Sequence, residues 1–167
     1  MKSLVHNFTH LKVLDLGDVE MNFTVPEPLT NKTSLTYLGL EGCSLQEIFP
    51  TGIFHLPNLK SLNLAYNMDL RGKLPEFHSS SPLQVIDLSA TSFYGELPLS
   101  IGNLHSLEEF FILDCNFRGY IPSSFENLTQ LKVLELSYNN FSVQTLSSLP
   151  FFGKLTQLIY LKLDGMN

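Results

Sequence analysis

A right-handed, curved α/β solenoid, with a parallel sheet of about seven short strands on its concave face, is the architecture this sequence predicts. Three observations carry the prediction. The pattern L-x-x-L-x-L starts at Leu11, Leu35, Leu59, Leu83, Leu107, Leu131 and Leu158, with Ile86, Phe110 and Ile112 filling leucine slots. The starts are 24 residues apart, except for a last interval of 27. Finally, 44% of the 167 residues are hydrophobic and only 16% charged, enough apolar surface for one packed core rather than a disordered chain. A fixed period in this range marks a stack of leucine-rich units, none of which can bury its apolar face alone.

Each unit can be justified in order. Counting its first Leu as position 1, positions 4 and 6 point inward while 3, 5 and 7 point outward, the alternation of a short strand. Stacked units pair these strands in parallel, about 4.8 Å apart. The bulkier return segments form the back, so the stack bends with the sheet inside. The array divides into a partial repeat over 1–10, repeats beginning at 11, 35, 59, 83, 107 and 131, and a partial repeat over 158–167.

Position 9 closes the strand with a tight turn whose backbone groups need partners. Its occupants are Val19, Cys43, Asn67, Thr91, Cys115, Asn139 and Met166. Asn67 and Asn139 can donate and accept along the stack; Thr91, Cys43 and Cys115 can do so more weakly. Cys43 and Cys115 are three repeats apart, about 14 Å at the strand spacing and beyond disulfide reach, so both are expected as buried free thiols. A second element follows: Phe117-Arg118-Gly119-Tyr120-Ile121-Pro122, Phe93-Tyr94-Gly95-Glu96-Leu97-Pro98 and, one residue late, Leu70-Arg71-Gly72-Lys73-Leu74-Pro75. Gly is expected to allow a bend there, the apolar residue to cap the core, and Pro to fix the chain where no ladder N–H is needed. Repeats one and two keep only Val25-Pro26 and Phe49-Pro50.

An L-x-G-x-I-P element in a 24-residue repeat resembles the plant-specific leucine-rich repeat. The run from Leu74 to Ser142 resembles plant receptor-like proteins of the disease-resistance type. That resemblance implies a secreted repeat ectodomain on the extracellular face of the plasma membrane, one transmembrane helix, a short cytoplasmic tail and signalling through partner kinases. The sequence has no apolar run long enough to span a bilayer and no signal peptide at its start. MKSLVHNFTHLKVLDL aligns with IPSSFENLTQLKVLEL, so both ends are read as cutting a repeat open in a piece of a longer array.

The net charge of −6 argues against nucleic acid or an anionic membrane as the main partner. Five N-x-S/T sequons, at Asn7, Asn22, Asn31, Asn127 and Asn140, point to glycosylation in the secretory pathway, although three share one repeat position and also fit the repeat pattern itself. His6, His10, His55, His78 and His105 are scattered on return segments, and Glu108 and Glu109 point to opposite sides of a strand. No catalytic constellation, metal site or cofactor is expected.

The concave face is the candidate site. Positions 2, 3, 5, 7 and 8 of the seven repeats hold nine acids and four bases, with Tyr37, Tyr66, Phe111, Tyr138 and Tyr160 among them. In the fifth repeat Phe110 and Ile112 face the core, so Phe111 and Leu113 face out. They are expected to form an apolar patch with Val85 and Val133, rimmed by Asp87, Glu109 and Glu135 and flanked by Tyr66 and Tyr138. Aromatics on a rigid surface are common recognition anchors; an exposed sheet also carries such residues for solubility and strand preference. The expectation is a non-catalytic module for a peptide or protein ligand, with a coreceptor kinase as a further partner. A soluble inhibitor resembling the polygalacturonase-inhibiting repeat proteins, and a truncated product without activity of its own, are the alternatives.

Overall fold

A computed structural model of the chain describes residues 7–20, 24–142 and 149–165. Asn22, His6 and Met166 lie outside the described residues.

The alternation at positions 3 to 5 produces seven three-residue strands. These are β1 (Val13–Asp15), β2 (Tyr37–Gly39), β4 (Ser61–Asn63), β6 (Val85–Asp87), β8 (Glu109–Phe111), β10 (Val133–Glu135) and β12 (Tyr160–Lys162). They pair in parallel in sequence order, as a leucine-rich-repeat solenoid requires. Residues of one repeat position lie side by side: Leu14, Leu38, Leu62, Ile86, Phe110, Leu134 and Leu161 form a single row. The longer last repeat keeps this register, Val133 pairing with Tyr160. Its three extra residues are therefore absorbed outside the strand.

The Gly-Pro element forms more than a bend. Five further strands, β3 (Glu47–Ile48), β5 (Leu70–Gly72), β7 (Ser92–Glu96), β9 (Asn116–Gly119) and β11 (Asn140–Phe141), make a second parallel sheet. Its glycines act in two ways. Gly72 pairs with Phe93, and a β-carbon on it would stand 2.6 Å from the Phe93 ring. Gly95 and Gly119 have φ of 99° and 79°, a region costly for other residues. The prolines then start the return. Pro26, Pro50, Pro98 and Pro122 each precede a one-turn 3₁₀ helix, at Glu27–Asn31, Thr51–His55, Leu99–Asn103 and Ser123–Asn127. A further such helix covers Pro150–Lys154.

The core lies between the two sheets and the helices. Its leucine rows are joined by a phenylalanine spine, of which Phe49, Phe54, Phe93, Phe110, Phe117, Phe125 and Phe141 are almost completely buried. Phe49 meets Phe54 edge-on at 5.4 Å and Phe93 at 5.9 Å. Such pairs add to the gain from area alone.

Position 9 hydrogen-bonds successive turns together. The Asn67 carboxamide oxygen accepts from the N–H of Cys43 (3.1 Å) and Leu45 (2.9 Å), and its Nδ2 donates to the carbonyls of Leu40 and Leu64. Asn139 repeats this, accepting from Phe117 N–H at 3.0 Å and donating to Ile112, Leu136 and Ser137. Cys43 donates to Leu16 and Cys115 to Leu88, carbonyls at position 6 of the preceding repeat. Thr91 donates to Leu88 within its own repeat and meets Cys115 Sγ at 3.5 Å. Both cysteines are buried free thiols. Burial raises both thiol pKa values, that of Cys115 to about 11.

Candidate ligand-binding face

The chain turns at position 8 before the ladder. Asp18, Gly42, Tyr66, Ala90, Asp114, Tyr138 and Gly165 occupy it, and every one has φ between 53° and 66°. Left-handed backbone at a non-glycine residue carries strain, offset here by the surrounding ladder. The turn lifts Tyr66 and Tyr138 clear of the sheet, leaving them 66% and 55% exposed. Tyr138 lies over Gly165, where a β-carbon would meet its ring at 2.6 Å, and the Lys162 ammonium stands 6.0 Å from the ring centroid. Tyr37 fills the space above Gly39, the one position-5 glycine. Burial raises its hydroxyl pKa, as do the nearby Asp15 and Glu41 carboxylates.

Position 5 has a structural task that spacing did not disclose. The side chains of Asp15, Asn63, Asp87 and Glu135 each accept the N–H two residues on, at 2.9 to 3.3 Å. These side chains cap the strand ends, since the turn leaves that N–H without a ladder partner. The signal in sequence was an acid or amide at position 5 before the small residues Gly17, Ala65, Ser89 and Ser137. Glu135 is only 5% exposed. Besides Ser137, it accepts from the Tyr160 hydroxyl at 3.2 Å, and Lys162 stands 3.8 Å away. Asp87 is half-buried, and burial raises its carboxyl pKa against the opposing Ser89 hydrogen bonds.

The register also rearranges the centre of the face. Phe111 has Asp87 and Glu135 as its direct lateral neighbours, and Val85 and Val133 flank Glu109 instead. Apolar and acidic side chains therefore alternate here, in place of the expected apolar patch with an acidic rim. The reason is geometric: pairing with a 24-residue offset puts like positions side by side and leaves position 3 diagonal to position 5. Phe111 and Leu113 are half-buried, as is Glu109. The acidic charge is partly offset towards the last repeats, where Lys132 meets Glu108 at 2.5 Å and Lys162 lies 3.8 Å from Asp164.

The sequon residues Asn7, Asn31, Asn127 and Asn140 are exposed. Among the described residues no group of three or more His, Cys, Asp and Glu side chains could hold a metal ion, and no helix is long and apolar enough to cross a membrane.

Three stretches, residues 34–56, 106–128 and 130–155, match the Leucine Rich Repeat family. Receptor-like protein 6 of Arabidopsis thaliana is 38% identical over 104 residues, 62% of this chain and 10% of that protein. The chain thus spans about a tenth of this curated relative. The ectodomain of the Arabidopsis thaliana receptor kinase GASSHO1/SCHENGEN3, solved with CASPARIAN STRIP INTEGRITY FACTOR 2, superposes with a TM-score of 0.86 at 32% identity, covering 95% of this chain and 19% of that one. The Arabidopsis receptor kinase HAESA, solved with the peptide hormone IDA and the co-receptor SERK1, gives 0.84 at 28% identity, covering 94% and 26%.

Proposed function

This chain belongs to the leucine-rich-repeat receptor-like proteins of plants, and from that premise we propose that it is a non-catalytic stretch of extracellular binding surface, for a peptide or protein ligand, in defence or developmental signalling. A coreceptor kinase is the further partner this reading implies. The observation that carries it is strand β8 of the concave sheet. There a half-buried Phe111 stands between Asp87 and Glu135, with exposed Tyr66 and Tyr138 along the turn edge. The aromatics offer anchoring area at low entropic cost, and the half-buried acids Asp87 and Glu109 select basic flanks. Of the ectodomains it resembles, that of HAESA was solved with the peptide hormone IDA, which supports the ligand class.

The test is selection of displayed random peptides on the full chain. Peptides with an apolar anchor between basic residues are expected. Phe111→Ala should weaken a selected peptide by about tenfold or more, as for a hot-spot aromatic. Its thermal midpoint should stay close to the parent's, since Phe111 points away from the core. Glu109→Lys should mainly slow association and flatten its salt dependence. Selected peptides that bind Phe111→Ala as tightly as the parent would refute the placement.

A further inference from the structure

The outer face of the second sheet carries chemistry that the concave face lacks. Both of the chain's arginines, Arg71 and Arg118, lie on strands of this sheet, and both are exposed. Among the described residues neither pairs with a carboxylate; the ion pairs belong to Lys132, Lys154 and Lys162. Two hollows share Tyr94. The larger, of about 720 Å³, sets Glu47 and Asp69 beside Arg71 and so balances its own charge. The smaller, of about 380 Å³, is lined by Lys73, Tyr94, Gly95, Asn116, Arg118 and Asn140, two cations and no acid. Glu96, the lateral neighbour of Arg118, folds over Gly119 and does not line it.

The fold builds this hollow. β5, β7 and β9 bring Lys73, the residue after β5, together with Tyr94 and Arg118 from three repeats. The Lys73 ammonium sits 5.2 Å from the Tyr94 ring centroid, so the aromatic holds one cation in place. Gly95, with φ of 99°, brings no side chain of its own, and the Lys73 methylenes lie over it, 3.6 Å from where a β-carbon would stand. Asn116 pairs beside Tyr94, and Asn140 beside Arg118, so two carboxamides stand along the walls.

These groups specify an occupant. Two cations ask for anionic oxygens, and the carboxamides can both donate to and accept from hydroxyls. One aromatic ring without apolar walls suits the C–H face of a sugar; an apolar peptide anchor would need a desolvated pocket. We propose that this trough binds a carboxylated saccharide, with a uronate ring on Tyr94, its carboxylate on Arg118 and Lys73, and its hydroxyls on Asn116 and Asn140. This site is independent of the concave reading, because that face carries nine acids and four bases and would repel a polyuronate.

The test uses the full chain made without glycans, since Asn140 is itself a sequon, and oligogalacturonate as the probe in calorimetric titration. Binding that weakens with salt is expected. Arg118→Gln should reduce affinity about tenfold, the loss of one charge-assisted hydrogen bond, and Tyr94→Ala by a similar factor. Both positions are exposed, and an unchanged circular dichroism melt verifies the fold. Fully methyl-esterified oligogalacturonate should not bind, and Phe111→Ala should bind the acid form as the parent does. Equal binding by parent, Arg118→Gln and Tyr94→Ala overturns the proposal, as does equal binding of the methyl ester. Absence of binding does so too. Polyglutamate binding as tightly as oligogalacturonate would make this an acidic-polypeptide site and overturn the saccharide assignment. Loss of binding in Phe111→Ala would move the ligand to the concave face.

Discussion

Replacing Asn139 by Ala removes one buried side chain that serves two repeats at once. Its carboxamide accepts from Phe117 N–H at 3.0 Å and donates to the carbonyls of Ile112 (2.5 Å), Leu136 (3.1 Å) and Ser137 (3.3 Å). The Ser137 carbonyl keeps a second donor, Asp114 N–H. Phe117 N–H and the Ile112 and Leu136 carbonyls therefore lose the Asn139 hydrogen bond without that reserve. Three buried groups at about 1 kcal/mol each give a loss of about 3 kcal/mol. The urea midpoint reads this directly. With a slope of about 2 kcal/mol per molar, it should fall by about 1.5 M. Asn139→Asp should cost more at neutral pH, because it turns a donor facing three carbonyls into a buried negative oxygen, leaving Phe117 N–H as the donor to the carboxylate. Asn140→Ala is the control, one residue on but exposed, and should leave the midpoint nearly in place. If Asn139→Ala and Asn140→Ala unfold at the same urea concentration, the position-9 ladder is not what joins these turns.

Further outcomes follow from the same geometry. Gly72→Ala should destabilise by about 1–3 kcal/mol, the range for overpacking, because the new β-carbon meets the Phe93 ring at 2.6 Å; adding Phe93→Leu should recover part of the loss in thermal melts. Cys43 and Cys115 should react with a thiol reagent only slowly in the native protein and rapidly in denaturant, because burial both blocks access and keeps the thiols protonated. His55 has a lowered pKa, through burial first and then the His78 ring 5.4 Å away. Protons then favour the unfolded chain, so stability should be intact above about pH 6.5 and decline as pH falls through that unfolded value towards the lower folded one. His78→Gln should shrink this decline in urea titrations run at several pH values.

The tandem period by itself decides how the units stack. Once Leu11, Leu35, Leu59 and their successors repeat every 24 residues, strand order, parallel sense and the inward row from Leu14 to Leu161 follow, because each unit can bury its leucines only against the next. The position-9 ladder was legible for the same reason: a turn repeated down a stack leaves the same backbone groups wanting partners, and Asn67 and Asn139 are the residues able to supply both kinds. The candidate site was less legible. Asp87 and Glu135 look in sequence like free concave acids, yet both cap their strand ends, a local hydrogen bond that no periodicity announces. Phe111 was expected to join Val85 and Val133, but lateral register seats it between two acids. The second sheet has no clear sequence signal because its strands have two to five residues and three of them run through glycines. They exist only because neighbouring repeats, already aligned by the leucines, bring Arg71 beside Ser92, Tyr94 beside Asn116 and Arg118 beside Asn140. One-dimensional pattern determines what stacks on what, since burial acts through the repeat. Which side chains then face one another across the stack depends on backbone register and turn conformation, and these arise only when the repeats are in contact.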